Sequence, residues 1–563
     1  MANVNEVLNI TATIGGAAVD TASFGVGLGA TPHTNTLNTV DTYTGVPDDF
    51  QEGDAGYDSL KAVFLQSPSP SQFKIGRIGV ESTKVTVVGT GQVTVGNEYK
   101  LECADTGDTA LTEVSYTSVA TSDTVTAVTT GVAGTADFSF AGPAADVAMY
   151  LTGYTFALSG NTTPAANATY TVRAPGATEL AGVVTVPIVE ALPAATADGD
   201  LTVADDIIAV AAGLTAAHAG PGFAQTAADN GDGTMTVTVG TTGDPMVVRT
   251  TNRGRLTVAY VTLSAAGANE AAQWKASLDD ILAADSTFLY TAITSRDKDV
   301  QDGVFEWINL NEKLSIMASS DANIIGLAEA ADTSTIAYLR DAANYKRNIM
   351  LYSSTADGTV DDEWVDFADI AANIIFDPDA PQNPGRWNNW TYKNLAGVTS
   401  DADNLTATNI ANLVAKSVDW YGTVQGVDAV VGGDTISGGG GLNGAGYEFS
   451  LDYGVLWMKA RLQERFAAMI LSMSASLGRY AFTQKDINAF KIAISDIFEL
   501  AVTNGFLMRD TATYGPLGYQ VIVPDEKAIL TADKLAEILR GMSAKGKSAG
   551  TVGHVIFNFN IGT

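Results

Sequence analysis

The chain has 563 residues, more than one hydrophobic core usually organises, so several domains are expected. Hydrophobic residues make up 46%, too many for a disordered chain, while charged residues reach only 17% and leave the surface to Thr, Ser, Asn and Gly. With 31 basic against 63 acidic residues the formal net charge is −32, which argues against nucleic-acid binding and against a broad anionic-membrane surface, because both need clustered Lys and Arg.

Cys103 is the single cysteine, so no intrachain disulfide can form, and His33, His218 and His554 lie far apart in sequence. The N-terminus lacks the basic and apolar regions of a signal peptide, and no run of about 18 apolar residues predicts a membrane span. The expectation is a multidomain protein made in a reducing cytoplasm, with no membrane insertion.

The first twenty residues read as an extended arm. Val4, Leu8, Ile10 and Ala12 share one parity, the alternation of a strand. Tyr57-Asp-Ser-Leu-Lys-Ala-Val-Phe-Leu65 reads as a helix, ended by the prolines at 68 and 70, and Phe73-Lys-Ile-Gly-Arg-Ile78 as a strand. From 81 to 248 the chain turns Thr/Val/Gly/Ala-rich, with 18 acidic and 3 basic residues. Within it, Asp123-Thr-Val-Thr-Ala-Val-Thr-Thr-Gly-Val132 aligns with Asp205-Asp-Ile-Ile-Ala-Val-Ala-Ala-Gly-Leu214. The spacing predicts two similar β-rich modules, about 84–165 and 166–249, each with one short helix.

Regular alternation returns after 250. Helices are expected over 269–284, 299–311, 334–345 and 361–374, with strands at 288–293, 314–318 and 348–352 between them. That pattern predicts a mainly parallel, layered sheet. A further helix is expected over 405–420, then a Gly-rich loop around Gly438, then helices 451–473 and 484–503. The first of these puts Val455, Met458, Leu462, Phe466, Met469 and Met473 on one stripe, flanked by Lys459, Arg461 and Arg465. Residues 455–550 hold 12 basic and 9 acidic side chains, so this part is basic in an otherwise acidic chain. Ser543-Ala-Lys-Gly-Lys-Ser-Ala-Gly550 reads as a flexible tether. It leads to a strand in which Val555, Phe557, Phe559 and Ile561 alternate with polar residues and Ile556.

Catalytic and cofactor motifs do not assemble. Gly25-Val-Gly-Leu-Gly-Ala30 approaches a dinucleotide fingerprint, but Thr31-Pro-His-Thr-Asn35 cannot open the helix that the motif requires. Asp229-Asn-Gly-Asp-Gly233 reads as a β-turn rather than a calcium loop. The polar groups after the strands near 293, 318 and 352, Ser295-Arg-Asp297, Ser319-Ser-Asp321 and Ser353-Ser354, read as helix N-caps. An α/β hydrolase would need them clustered around a substrate. No catalytic residue, cofactor or metal is assigned.

Three segments in order resemble the contractile tail sheath proteins of bacteriophages. They are the helix–strand run Tyr57 to Arg77 with its Gln66-Ser-Pro-Ser-Pro break; Thr391-Tyr-Lys-Asn-Leu-Ala-Gly-Val-Thr399 with Leu405 to Leu413; and Asp452 to Arg465 followed by Phe482-Thr-Gln-Lys-Asp486 and Ala501-Val-Thr-Asn-Gly-Phe506. The resemblance covers the ends and 250–540, not 81–248. It implies a non-enzymatic virion component, assembled in the host cytoplasm. Such a subunit polymerises with itself around a tail tube protein and meets baseplate and tail terminator proteins. It contracts to drive the tube through the host envelope, and terminal arms add strands to neighbouring subunits.

The expected fold class is α/β (α+β overall): a layered α/β core with an inserted β-rich double module and extended terminal strand arms. The expected division is an arm at 1–20; an α/β domain of 21–80 with 250–420; the insertion 81–249; a helical domain 421–542; and a linker with strand arm at 543–563. The arm strands are assigned to Val4, Leu8, Ile10, Ala12, Val555, Phe557, Phe559 and Ile561. Electrostatic contact with the tube or a neighbour is assigned to Lys459, Arg461, Arg465, Lys545 and Lys547. A surface-layer or adhesin protein is the competing structural reading; it would fit the acidic β modules but calls for export.

Overall fold

The computed structural model describes the chain from Phe24 to Ser548, apart from 37, 49, 51, 89–95, 106–107, 119–121, 130–134, 140–168, 174–181, 188–200, 241–245, 264–269, 360, 380–389, 425, 433–448, 476–479, 536–538 and 540–541. The chain divides into two compact units. Unit 1 holds residues up to Thr31, Asn38–Ile78 and Asn269 onward; unit 2 holds Pro32–Leu37 and Gly79–Ala268.

Unit 1 begins with strands β1 (Gly27–Pro32) and β2 (Val40–Tyr43), helix α1 (Ala55–Phe64) and strand β3 (Phe73–Ile78). Unit 2 then supplies strands β4 (Val80–Val87), β5 (Glu98–Ala104), β6 (Thr112–Thr117), β7 (Ser122–Thr129), β8 (Thr135–Ser139), β9 (Thr169–Arg173) and β10 (Gly182–Pro187). Helix α2 (Leu201–Ala219) and strands β11 (Thr226–Asp229), β12 (Thr234–Thr238), β13 (Val247–Thr250) and β14 (Leu256–Leu263) complete it.

Among the described residues, three sheets build unit 2, in the orders β11-β12-β4-β14, β13-β5-β6 and β10-β7-β8-β9. Helix α2 packs on strands of the first two, and Val85, Leu101, Leu214, Met235, Val237 and Val248 form a dry core there. Asp229-Asn-Gly-Asp-Gly233 is the turn of the β11–β12 hairpin, with Gly231 and Gly233 at positive φ and the Asp229 carboxylate accepting from the Gly231 amide. The unit is wider than 81–249, because β14 pairs along the whole of β4 and so draws in residues past 250.

The two aligned decapeptides do not share a conformation. Asp123 to Thr129 lies in strand β7, and 205–214 lies inside α2. Their apolar spacing is alike, but Thr and Val dominate the first and Ala the second, so β-branching stiffens one into strand and Ala favours helix in the other. The expected short helix in the first module is therefore corrected to a strand.

Unit 1 resumes with α3 (Glu270–Ala284), β15 (Tyr290–Ile293), α4 (Lys298–Leu310), β16 (Leu314–Ser319), α5 (Ala322–Gly326), α6 (Ile336–Ala342), β17 (Asn348–Tyr352) and α7 (Val365–Ile374). It continues with α8 (Ala407–Ala415), β18 (Asp419–Val424), β19 (Val427–Val431), α9 (Phe449–Ala475), α10 (Gln484–Thr503), β20 (Leu507–Met508), α11 (Thr511–Tyr514), β21 (Gln520–Ile522), α12 (Thr531–Leu535), β22 (Ser543–Lys545) and β23 (Lys547–Ser548). Its main sheet has eight strands in the order β19-β18-β17-β16-β15-β1-β3-β2. The strands from β1 through β15, β16 and β17 to β18 run parallel, and an antiparallel pairing closes each edge. The central strands are buried along their whole length, in keeping with their mostly apolar sequences.

The glycines at 27 and 29 sit inside this sheet. A Cβ on Gly27 would fall 2.4 Å from the Phe73 ring, and one on Gly29 would fall 2.5 Å from Phe367. They let α7 and its neighbours approach a central strand closely, which is a packing role.

The helix expected over 405–420 is shorter. Its start is fixed by a capping box between Thr406 and Asn409, and it ends at Lys416, followed by Ser417 at φ 49°. Trp420 and Tyr421 then run in β18, so the sheet continues beyond 420. Among the described residues no helix is long and apolar enough to cross a membrane.

Candidate assembly surface

Helix α9 welds the C-terminal part to the sheet. Phe449, Tyr453, Leu456, Trp457, Met458, Leu462 and Phe466 are buried in the same core as Phe73, Tyr290, Ile316 and Leu351. The boundary expected near 421 is therefore bridged by one continuous core, because the first half of α9 buries more than the single stripe that its spacing suggests. Past Phe466 the described residues of α9 are half-buried or exposed, and Ile470 and Leu471 stand in solvent.

The basic residues beside the stripe have acidic partners within the chain. Lys459 pairs with Glu312, at the turn after α4, 2.5 Å away. Arg461 pairs with Asp379 and Glu464, and Asp379 also accepts from the Trp457 indole at 3.0 Å. Burial works against the Arg461 charge, but Glu464 and Asp379 more than offset it and hold the guanidinium charged. Arg465 reaches Asp496 of α10 at 3.3 Å, with its side chain 52% exposed. Lys547 lies 3.8 Å from Asp510, and Lys545 is half-buried in β22. None of the acidic partners was legible beforehand. Asp379 lies in an irregular segment, and Asp496 faces α9 only once the two helices pack.

Segment 543–548, expected as a flexible tether, is instead paired backbone. β22 lies antiparallel to β21, with Ala544 opposite Val521, and β23 lies antiparallel to β20, with Met508 opposite Lys547. Gly546, between the two, sits where a Cβ would touch Leu507 at 3.0 Å and Phe498 at 3.4 Å. Gly, Ser and Lys suit a linker, but main-chain ladders need no particular side chain, and Gly allows the close approach to the apolar edge of α10. Each of these sheets has two strands. Val4, Leu8, Ile10 and Ala12 at one end, and Val555, Phe557, Phe559 and Ile561 at the other, lie outside the described residues.

At the strand ends where a hydrolase site was the alternative, the chain consumes its own polar groups. Asp297 accepts from the amides of Asp299 and Val300 and caps α4; Asp321 caps α5; Ser354 binds Asp401. Arg296 is held on both sides, by Asp362 at 2.8 Å and by Asp366 at 2.7 and 3.0 Å, with its guanidinium 4.7 Å from the Trp364 ring centre. Burial opposes its charge, and the two carboxylates more than restore it.

No family model matches the chain, and no curated protein matches it. Among solved structures, the chain is similar to the sheath tail protein of Desulfitobacterium hafniense at 11% identity, with 88% of this chain and 89% of that one covered and a TM-score of 0.37. It is similar to a sheath tail protein of Listeria innocua at 9% identity, with 88% of each covered and a TM-score of 0.37. It is also similar to a chain of the anti-feeding prophage baseplate at 13% identity, covering 54% of this chain and 76% of that one, with a TM-score of 0.35. Sheath tail proteins and a prophage baseplate are thus among the solved structures to which this chain is similar.

Proposed function

We propose that the chain is the structural, non-enzymatic subunit of a contractile tail sheath of phage type. It polymerises around a tail tube through strand-exchanging arms and contracts to drive that tube through the host envelope. Its partners are further copies of itself, the tube protein, and baseplate and terminator proteins; it resides in the virion. The ordered segments around 57–77, 391–413 and 452–506 support this reading.

The observation that carries it is the pairing of 543–548 with both β20 and β21. A segment 543–548 anchored by backbone hydrogen bonds is a suitable base for a donated strand, and Val555 to Ile561 have the alternation of one in sequence. A strand donated to a neighbour from such an anchor keeps its main-chain bonds while the bodies rotate. The residues at the opposite end, Val4 to Ala12, have the same alternation and suit the same use. For tube or neighbour contact, the pairs of Lys459 and Arg461 leave Arg465, Lys545 and Lys547 as the stronger members of the proposed set.

Electron microscopy of the purified full-length protein tests the proposal. Tubes or stacked rings are expected. Deleting residues 1–15 or 552–563 should leave folded monomers that no longer polymerise. Discrete particles from the intact chain under all conditions, or normal tubes from both deletions, would sink the reading.

A further inference from the structure

Helix α7 is buried on every side. Phe367, Ile370, Ala371 and Ile374 belong to the apolar core, while Asp366, Asp369 and Asn373 stand at i, i+3 and i+7 along one face, each with at most 1% exposure. Asp366 is neutralised by Arg296. Asp369 has no such clamp. Its Oδ1 accepts from Asn373 Nδ2 at 3.0 Å, and the same amide nitrogen donates to the Asp369 carbonyl at 2.9 Å. Asp369 Oδ2 and Asn373 Oδ1 are buried and meet no donor among the described residues. Two acceptors are thus stranded within one turn, in a place where an unmet polar atom is costly.

The surroundings supply few charges. The elements packed on α7 bring Tyr57, Asp58 and Lys61 on α1, Lys74 and Arg77 on β3 and Tyr290 on β15; β1 and β16 bring no titratable group. Arg296 is paired with both Asp362 and Asp366. Lys393 favours ionisation of Asp369, and Asp366 opposes it.

We propose that Asp369 is a proton-operated latch: the fold carries it as a neutral carboxylic acid whose proton provides the missing donor beside the Asn373 amide, and its ionisation loosens α7 from the sheet. The proton of a carboxylic acid supplies such a donor without another molecule. Burial pushes the Asp369 carboxyl up to about 7 from its ordinary 3.8. The folded chain therefore binds a proton that the unfolded chain releases. The resulting stabilisation is complete below the ordinary carboxylate value and is lost as pH rises through neutrality.

The test is thermal unfolding of the full chain from about pH 5 to about pH 8.5, at constant ionic strength, for the wild type, Asp369→Asn and Lys393→Met. The wild-type Tm should fall as pH rises through 7. Asp369→Asn should lack that fall and exceed the wild type at the alkaline end. Lys393→Met should move the fall to higher pH, since it removes the charge that favours ionisation. Parallel pH profiles for wild type and Asp369→Asn would overturn the latch. Should Asp369→Asn fail to fold, infrared difference spectra of the wild type decide: a protonated-carboxyl band that titrates near neutrality, with a midpoint raised in Lys393→Met, supports the proposal, and its absence or insensitivity to Lys393→Met overturns it.

Discussion

Arg296 and Arg465 show the same chemistry in two settings. Arg296 lies at 7% side-chain exposure between Asp362 and Asp366, at 1% and 0%. Arg465 and Asp496 face each other at 52% and 53%. Inside, four charge-assisted hydrogen bonds and an aromatic face replace the water that three ions have lost. Outside, water and salt still solvate both partners, so the pair adds little and can be exchanged for a partner on another molecule. The first set ties a loop at the end of the sheet to α7; the second leaves α9 and α10 with charges that water still reaches.

Removing the buried cation should have the largest effect. Arg296→Met leaves two carboxylates with no counter-charge in a dry site, and a loss of about 3–5 kcal/mol in denaturant-derived stability is expected. Replacing Asp362 and Asp366 by Asn in the same background should recover part of it. A loss below about 1 kcal/mol would mean that water reaches the cluster, and the contrast with α9 would fail.

An intermediate case sharpens the comparison. Lys416 and Asp332 form a pair at 3% and 1% exposure, 2.7 Å apart. Asp332 also accepts from the amides of Ser334 and Thr335 and from the Thr335 hydroxyl. Lys416→Met therefore strips Asp332 of its counter-charge but leaves those donors in place. About 2–3 kcal/mol is expected, less than for Arg296→Met, because hydrogen bonds from neutral donors stabilise a buried carboxylate in part. Equal losses for the two variants would show that counter-charge alone matters in this core.

How much of this could be read beforehand depended on the range of the interaction. Strand 348–352 and helix 484–503 fall where their apolar patterns put them, and Asp297 caps α4 as its position before an amphipathic run implies. These features are set by residues a few positions apart. The strand β18 was hidden by the helix before it, because Ser417 at positive φ and the docking of Lys416 Nζ on the Asn323 and Ile324 carbonyls end α8 through contacts some ninety residues distant. The buried polar face of α7 was hidden for a similar reason. Nothing local to 361–374 tells that the chain folds over Asp366, Asp369 and Asn373. Of the basic residues singled out beside the α9 stripe, the positions were legible and the partners Glu312, Asp379 and Asp496 were not.

The smallest effect is expected at Arg465. Its ion pair is more than half exposed, so Arg465→Gln should change the stability of the isolated chain by less than about 0.5 kcal/mol, within the range of solvated pairs. Reversing Asp496 to Lys alone should cost no more, and the double charge swap should restore whatever pairing exists. If Arg465 instead serves a partner, as proposed above, the same Arg465→Gln variant should weaken co-sedimentation with the tube protein and flatten its dependence on salt while Tm stays constant, since a screened interaction lost from an interface takes its salt dependence with it. A fall in Tm without a change in co-assembly would place Arg465 with Arg296, as a residue that works for its own fold, and would erase the division between inner and outer charges drawn here.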